Sequence, residues 1–211
     1  MNTAALTTTR RSLHAVAELV LAGPQYRRDG TIRLQITPGG FATTAGPRVG
    51  VDGVDLTAGG QRWPISGHSC ADLAAAVGVQ PSPLDDVYRD ATTIAVHETL
   101  ELDPDAVAWL AQCWWAGAEA LRRLVPAETP VLWPEHFDVG IRADDTNFGV
   151  SPGDDHLAEP YAYVGPPTPR HGHFWNQPFG AARPMRELDA ARPDRVLAFF
   201  IEGREHIAGG D

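Results

Sequence analysis

Between Asp103 and Pro126 the residues Val107, Leu110, Trp114, Gly117, Leu121 and Leu124 recur at steps of three and four, which marks one face of an α-helix. Asp103-Pro104-Asp105 opens that stretch with a side-chain cap, a proline in the first turn and negative charge facing the positive end of the helix dipole. Arg122 and Arg123 suit the last turn, and Pro126 closes it. The segment from Asp105 to Val125 is therefore a long helix with a single buried stripe. The remaining chain must supply an apolar surface to cover it.

Strand patterns flank this helix. Thr31 to Thr37 alternates Ile32, Leu34 and Ile36 with Thr31, Arg33 and Gln35, and Pro38-Gly39-Gly40 turns the chain. Further strands are expected around Phe41 to Thr44, Arg48 to Val51 and Gln61 to Ile65, joined by Asp52-Gly53 and Gly59-Gly60 into an antiparallel meander. Before them, Leu13, Val16, Ala17 and Val20 predict an amphipathic helix that Gly23-Pro24 stops. Ile94, Val96, Leu100 and Leu102, at even spacing, predict an extended segment. Beyond the long helix, Phe137, Val139 and Ile141 mark one strand and Tyr161 and Tyr163 another. Gly165 to Arg183 is proline-rich loop, and Asp189 to Ile207 holds a terminal helix burying Val196, Phe199, Phe200 and Ile207. Strands, helix, strands and helix in that order, without regular alternation, predict an α+β fold. We expect one domain over 1–211: N-terminal helix and meander 1–66, helical middle 69–125, motif-bearing strands and C-terminal helix 130–208, the mainly antiparallel sheet being backed by the long helix and the C-terminal helix.

Composition removes several functions. The chain of 211 residues carries a formal charge of −10, which repels a phosphate backbone, so nucleic acid is not an expected partner. All 17 basic residues are arginine, which excludes a P-loop lysine, a kinase-type lysine and a Schiff-base lysine. No apolar run approaches the roughly 20 residues of a membrane span. Cys70 and Cys113 form no short-spaced pair, so a reduced, cytoplasmic setting is expected. Thr9-Arg10-Arg11-Ser12-Leu13 is reminiscent of a twin-arginine signal, but His14 and Glu18 interrupt the apolar stretch such a signal requires.

Several motifs carry chemistry. Gly67-His68-Ser69-Cys70-Ala71 approaches a nucleophile elbow but lacks the second glycine, and Ser69 to Asp72 reads better as a capping box. His97-Glu98-Thr99-Leu100-Glu101 approaches a zincin motif with Glu101 in place of the second histidine. On an extended segment His97 and Glu101 lie about 13 Å apart, at ~3.3 Å per residue, too far to share a metal. His171-Gly172-His173 can present two imidazoles to one side, although Phe174 and Trp175 beside it read first as loop anchors. Trp109, Trp114 and Trp115 read as helix packing, and no G-x-G-x-x-G fingerprint is present.

The densest chemistry lies in Trp133-Pro134-Glu135-His136-Phe137-Asp138, Ser151-Pro152-Gly153-Asp154-Asp155-His156 and Glu159-Pro160-Tyr161-Ala162-Tyr163. If the chain folds back on itself, His136 and Asp138 can meet Asp154 and His156. Such a set can act as general acid and base or bind a divalent cation with a water in an open position. The competing reading is that these aspartates cap turns. The expected catalytic residues are His136, Asp138, Asp154 and His156. Trp133, Tyr161, Tyr163 and Trp175 are expected to line a ligand site. Two functions follow: a hydrolase or lyase acting on a small polar molecule, or a non-catalytic small-molecule-binding or protein-interaction module with an aromatic-lined pocket. Residue types alone fix neither a cofactor nor an oligomeric state.

The strings Trp133 to Asp138, Phe148-Gly149-Val150-Ser151-Pro152-Gly153-Asp154 and Glu159 to Tyr163, with the Asp103-Pro104 helix start, resemble an uncharacterised bacterial family, a domain of unknown function. The likeness extends over most of the chain. It implies no catalytic residue, because that family has no established activity.

Overall fold

A computed structural model describes residues 2–209. The chain packs as two compact units, Met1–Ala111 with Leu132–Phe137, and Gln112–Val131 with Asp138–Asp211. Every strand pairing described is antiparallel, and the helices do not alternate with the strands, so the class is α+β. No helix among the described residues is long and apolar enough to cross a membrane.

The first unit opens with α1 (Thr3–Ala15), a π-helical segment (Val16–Ala22) and α2 (Gly23–Asp29). Gly23-Pro24 does not stop this run, contrary to the sequence expectation. The π-turn closes through the Gly23 amide to Glu18 O, and Pro24 then falls in the first turn of α2, where a missing N–H leaves no bond unmade. Gly30, at φ 71, ends α2 by donating to Tyr26 O. Glycine at 23 answers a different need: a Cβ there would lie 1.8 Å from Ser82 O, because the backbone of a later loop crosses the helix at that point.

The meander follows as β1 (Leu34–Thr37), β2 (Gly40–Thr43), β3 (Val49–Asp52), β4 (Asp55–Ala58) and β5 (Gln61–Pro64), each paired with the next. Leu34 and Ile36 of β1 are buried while Gln35 and Thr37 are not, as the alternation requires. β6 (Val131–Trp133) joins β1 through Leu34 and Leu132. Strands β4 and β6 are additions to the sequence reading. α3 (Cys70–Ala76) starts from Ser69 with both halves of the capping box formed, so the nucleophile-elbow alternative gives way to the cap. The extended segment expected over Ile94 to Leu102 forms no named strand. Glu98 instead closes a turn onto Ala95 O at 2.9 Å, and only Thr99 and Leu100 pair with the 67–69 backbone.

α4 (Pro104–Leu124) begins at the expected cap, with Asp103 Oδ1 accepting from the Ala106 amide at 2.9 Å. Leu110, Trp114 and Leu121 on its stripe are buried. The second unit holds β7 (Asp138–Ala143), β8 (Thr146–Ser151), β9 (Tyr161–Gly165) and β10 (Ala181–Pro184), paired in that order, and α5 (Pro193–Gly209). β8 and β10 were not expected, and α5 starts later than expected because residues 185–191 are turns. Ile207 is only half-buried, whereas Val196, Phe199 and Phe200 are core.

One face of β7–β9 is apolar and covered by helices. Gly117 of α4 sits so close to Val150 that a Cβ would lie 2.5 Å from its Cγ2, and Gly203 of α5 approaches Val164 Cγ2 to 2.7 Å by the same measure. Phe148 meets Phe200 edge to face at 6.0 Å. The opposite face carries Gly140, Gly149 and Tyr163 in one register, and the Tyr163 ring lies across the glycines. A Cβ at Gly149 would meet Tyr163 Oη at 2.4 Å and Val139 O at 2.6 Å. We predict that Gly149→Ala destabilises the protein by about 1–3 kcal/mol, the usual cost of overpacking. Urea unfolding checks it, and an unchanged midpoint would contradict the close packing of Tyr163 on this strand.

Candidate functional site

Two loops of the first unit converge on the N-terminal helix. The first is the turn Pro134–Phe137 after β6. Its Pro134 carbonyl accepts from His14 Nε2 at 2.6 Å, and its Phe137 ring stacks on the His14 imidazole at 5.3 Å. A carbonyl can only accept, so Nε2 carries the proton in the neutral ring. Burial is the largest influence on His14, lowering its pKa to about 4 against the opposing hydrogen bond to Pro134, with Arg10 and His136 adding to the lowering. At neutral pH His14 is uncharged. Its Nε2 lies 3.9 Å from Glu18 Oε2, a contact without an ion pair.

The second loop runs from Ser82 to Thr92. Ser82 donates its amide to Leu19 O at 3.0 Å, inside the π-helical segment. The Tyr88 hydroxyl and the Thr92 amide both donate to Glu18 Oε2, at 3.1 and 2.8 Å. Glu18 is 1% exposed. Burial raises its pKa, opposed by the hydrogen bonds from Thr92 and Tyr88.

These loops bring Asp90, Glu135 and His136 together. One ligand atom of each lies within 4.8 Å of the others, and His136 Nδ1 is 3.7 Å from Asp90 Oδ2. Asp90 and His136 are more than half exposed, at 67% and 62%, so the cluster faces solvent. An imidazole and two carboxylates at this spacing can converge on one divalent ion and leave coordination positions open.

The other expected site residues are distributed as follows. Trp133 belongs to the first unit, with the Arg33 guanidinium 5.5 Å above its ring. In the second unit the Tyr163 hydroxyl donates to Asp138 and the Tyr161 hydroxyl to Asp154. Asp154 Oδ1 also accepts the amides of His156 and Leu157, at 2.7 and 2.9 Å, the turn-capping arrangement weighed from the sequence. Tyr161 and Tyr163 are 6.4 Å apart, and Phe179 stacks on Tyr161 and meets His156 edge on. Burial, together with the adjacent carboxylates, raises both phenols, so neither ionises near neutral pH. Trp175 packs against Phe174, which stacks on His206 at 4.7 Å, while His171 and His173 stay exposed.

Sequence reasoning named His136 but not Asp90 or Glu135 as its neighbours, and treated His14 and Glu18 only as breaks in an apolar run. That break was the available signal: two polar residues four apart, where the helix runs into a segment whose every residue from Val16 to Ala22 is buried, need partners from elsewhere. The cysteines offer no alternative chemistry. Burial pushes the Cys70 thiol up to about 12 and Cys113 well above its usual value, so neither supplies a thiolate nucleophile at neutral pH.

The depressed His14 pKa links stability to pH. Below about pH 6.5 the unfolded chain binds a proton at this position, whereas the folded protein refuses it until about pH 4, so stability present above 6.5 is lost as the pH falls through that window. His14→Gln, whose amide can still donate to Pro134 O, removes the dependence. The stability difference between wild type and variant, measured by denaturant unfolding in chelator, should change by about 3 kcal/mol between pH 7 and pH 4. A constant difference would mean that His14 titrates normally in the folded protein.

Set beside protein-family models, curated proteins and solved structures, the chain matches none of them, so the functional reading rests on the geometry of the site.

Proposed function

We propose that the protein is a divalent-metal-dependent hydrolase or lyase for a small polar molecule, with Asp90, Glu135 and His136 as its metal ligands. The observation that carries this reading is the approach of three ligand atoms to within 4.8 Å of one another from two separate loops. Two carboxylates balance the charge of a dication, and one imidazole favours Zn²⁺, Co²⁺ or Mn²⁺ over Ca²⁺. Three protein ligands are the number found in catalytic zinc sites, where the fourth position holds water. Such an ion would lower the pKa of that water to roughly 7 and polarise the substrate carbonyl or phosphoryl oxygen. The exposure of Asp90 and His136 supports access for a small substrate.

His136 keeps a place in this proposal, as a ligand. Asp138, Asp154, Tyr161 and Tyr163 take a holding role: one hydroxyl–carboxylate pair ties the start of β7 to the middle of β9, and the other, with the Asp154 cap, ties the start of β9 to the turn between β8 and β9. His156 packs on Phe179 at the edge of that turn.

Titration of the chelator-treated protein with Zn²⁺, Co²⁺ and Mn²⁺ tests the reading. We expect one ion per chain and metal-dependent turnover in a panel of small esters and phosphate monoesters. Asp90→Asn combined with His136→Ala should abolish both. Binding undiminished in that variant would overturn the assignment of ligands, and tight binding without turnover would favour a non-catalytic module.

A further inference from the structure

The metal ligands lie on loops far apart in the chain, and both loops are fastened to consecutive turns of one helix. Glu18 Oε2 takes its two hydrogen bonds from Tyr88 and Thr92, two residues before and two residues after Asp90. His14, four residues earlier on the helix, bonds Pro134 and stacks on Phe137, the residues that bracket Glu135 and His136. The π-helical segment begins at Val16, between the two clamps, and places Leu19 O where the amide of Ser82 reaches it. Gly23 leaves room for that crossing. Each ligand-bearing stretch is thus held at its flanks, with its ligand side chains left free to face outward.

We infer that Glu18 and His14 are positioning residues of the metal centre: Glu18 sets Asp90, and His14 sets Glu135 and His136, so that the three ligand atoms stay within one coordination sphere. The inference rests on the metal reading above and adds to it the groups that preorganise the site. Flexible loops carrying three charged or polar ligands would lose affinity to their own ordering, and fixed flanks remove that cost. Neither Glu18 nor His14 belongs to the group of three ligands itself. The bonds from Tyr88 and Thr92 both fall on Oε2, and an amide oxygen can accept them in its place.

Metal affinity and the visible spectrum of the Co²⁺-loaded protein separate this role from plain structural support. Glu18→Ala should weaken Co²⁺ binding about 10–100-fold, the usual effect of removing a group that orients a ligand, and change the ligand-field bands. Glu18→Gln should restore affinity to within about threefold and return the wild-type spectrum, because its amide oxygen accepts both bonds. A folded Glu18→Ala protein with wild-type affinity and spectrum overturns the inference and leaves the metal reading intact. Wild type that binds no Co²⁺ overturns the metal reading itself. Should Glu18→Ala fail to fold, Tyr88→Phe deletes one donor with little change of shape. It should weaken binding several-fold with altered bands, and unaltered affinity and bands would overturn the inference.

Discussion

The Glu18 carboxylate oxygen shared by Tyr88 and Thr92 is the contact that fixes the loop carrying Asp90 over the N-terminal helix. An isolated carboxyl taken out of water is costly, and each unmet hydrogen bond in a buried place costs about 1–3 kcal/mol. Such a group survives only where its surroundings return that energy. Here the return comes from a loop with no secondary structure of its own, which gains a fixed path over the helix in exchange. His14 repeats the arrangement one turn earlier with a neutral ring, a carbonyl and a phenyl face. The seven-residue π-helical segment between Val16 and Ala22 fits the same logic. π-turns are rare and persist where surrounding packing compensates for poorer backbone bonding. Leu19 O and the bare Gly23 backbone both meet the crossing loop there.

The second unit uses its polar groups differently. Its sheet buries one face under helices brought close by Gly117 and Gly203, and lays Tyr163 across Gly149 on the other. The two tyrosine–aspartate pairs close this polar face, and Asp154 spends its second oxygen on backbone amides. Carboxylates engaged in this way have little freedom to follow a substrate. By contrast, Asp90 and His136 are exposed, face each other at 3.7 Å, and are fastened through their neighbours in the chain.

Local pattern made much of the fold legible. α4 announces itself through a cap and a continuous stripe, Ser69 to Asp72 through a capping box, and the meander through alternation and glycine turns. Strands β4, β6, β8 and β10 were not foreseen. β4 has one fully buried residue, Leu56, and β10 follows a proline-rich loop. The π-helical segment escaped because periodicity arguments assume 3.6 residues per turn, and Gly23-Pro24 then looks like an end. Within the site, His136 stood out as a histidine among carboxylates, but the residues paired with it depend on contacts spanning 70 or more positions, such as Glu18 with Tyr88. Asp90 lies in a stretch that reads as an ordinary acidic surface loop until the clamp on either side of it is known.

Diffraction from crystals soaked in Zn²⁺, with data collected on both sides of the zinc absorption edge, tests the central claim most directly. The account predicts one anomalous peak in contact with Asp90, Glu135 and His136 at about 2.0–2.2 Å, with the Tyr88 and Thr92 bonds to Glu18 intact beneath it. A peak bound elsewhere, or none in crystals whose two loops adopt the clamped geometry, would contradict it.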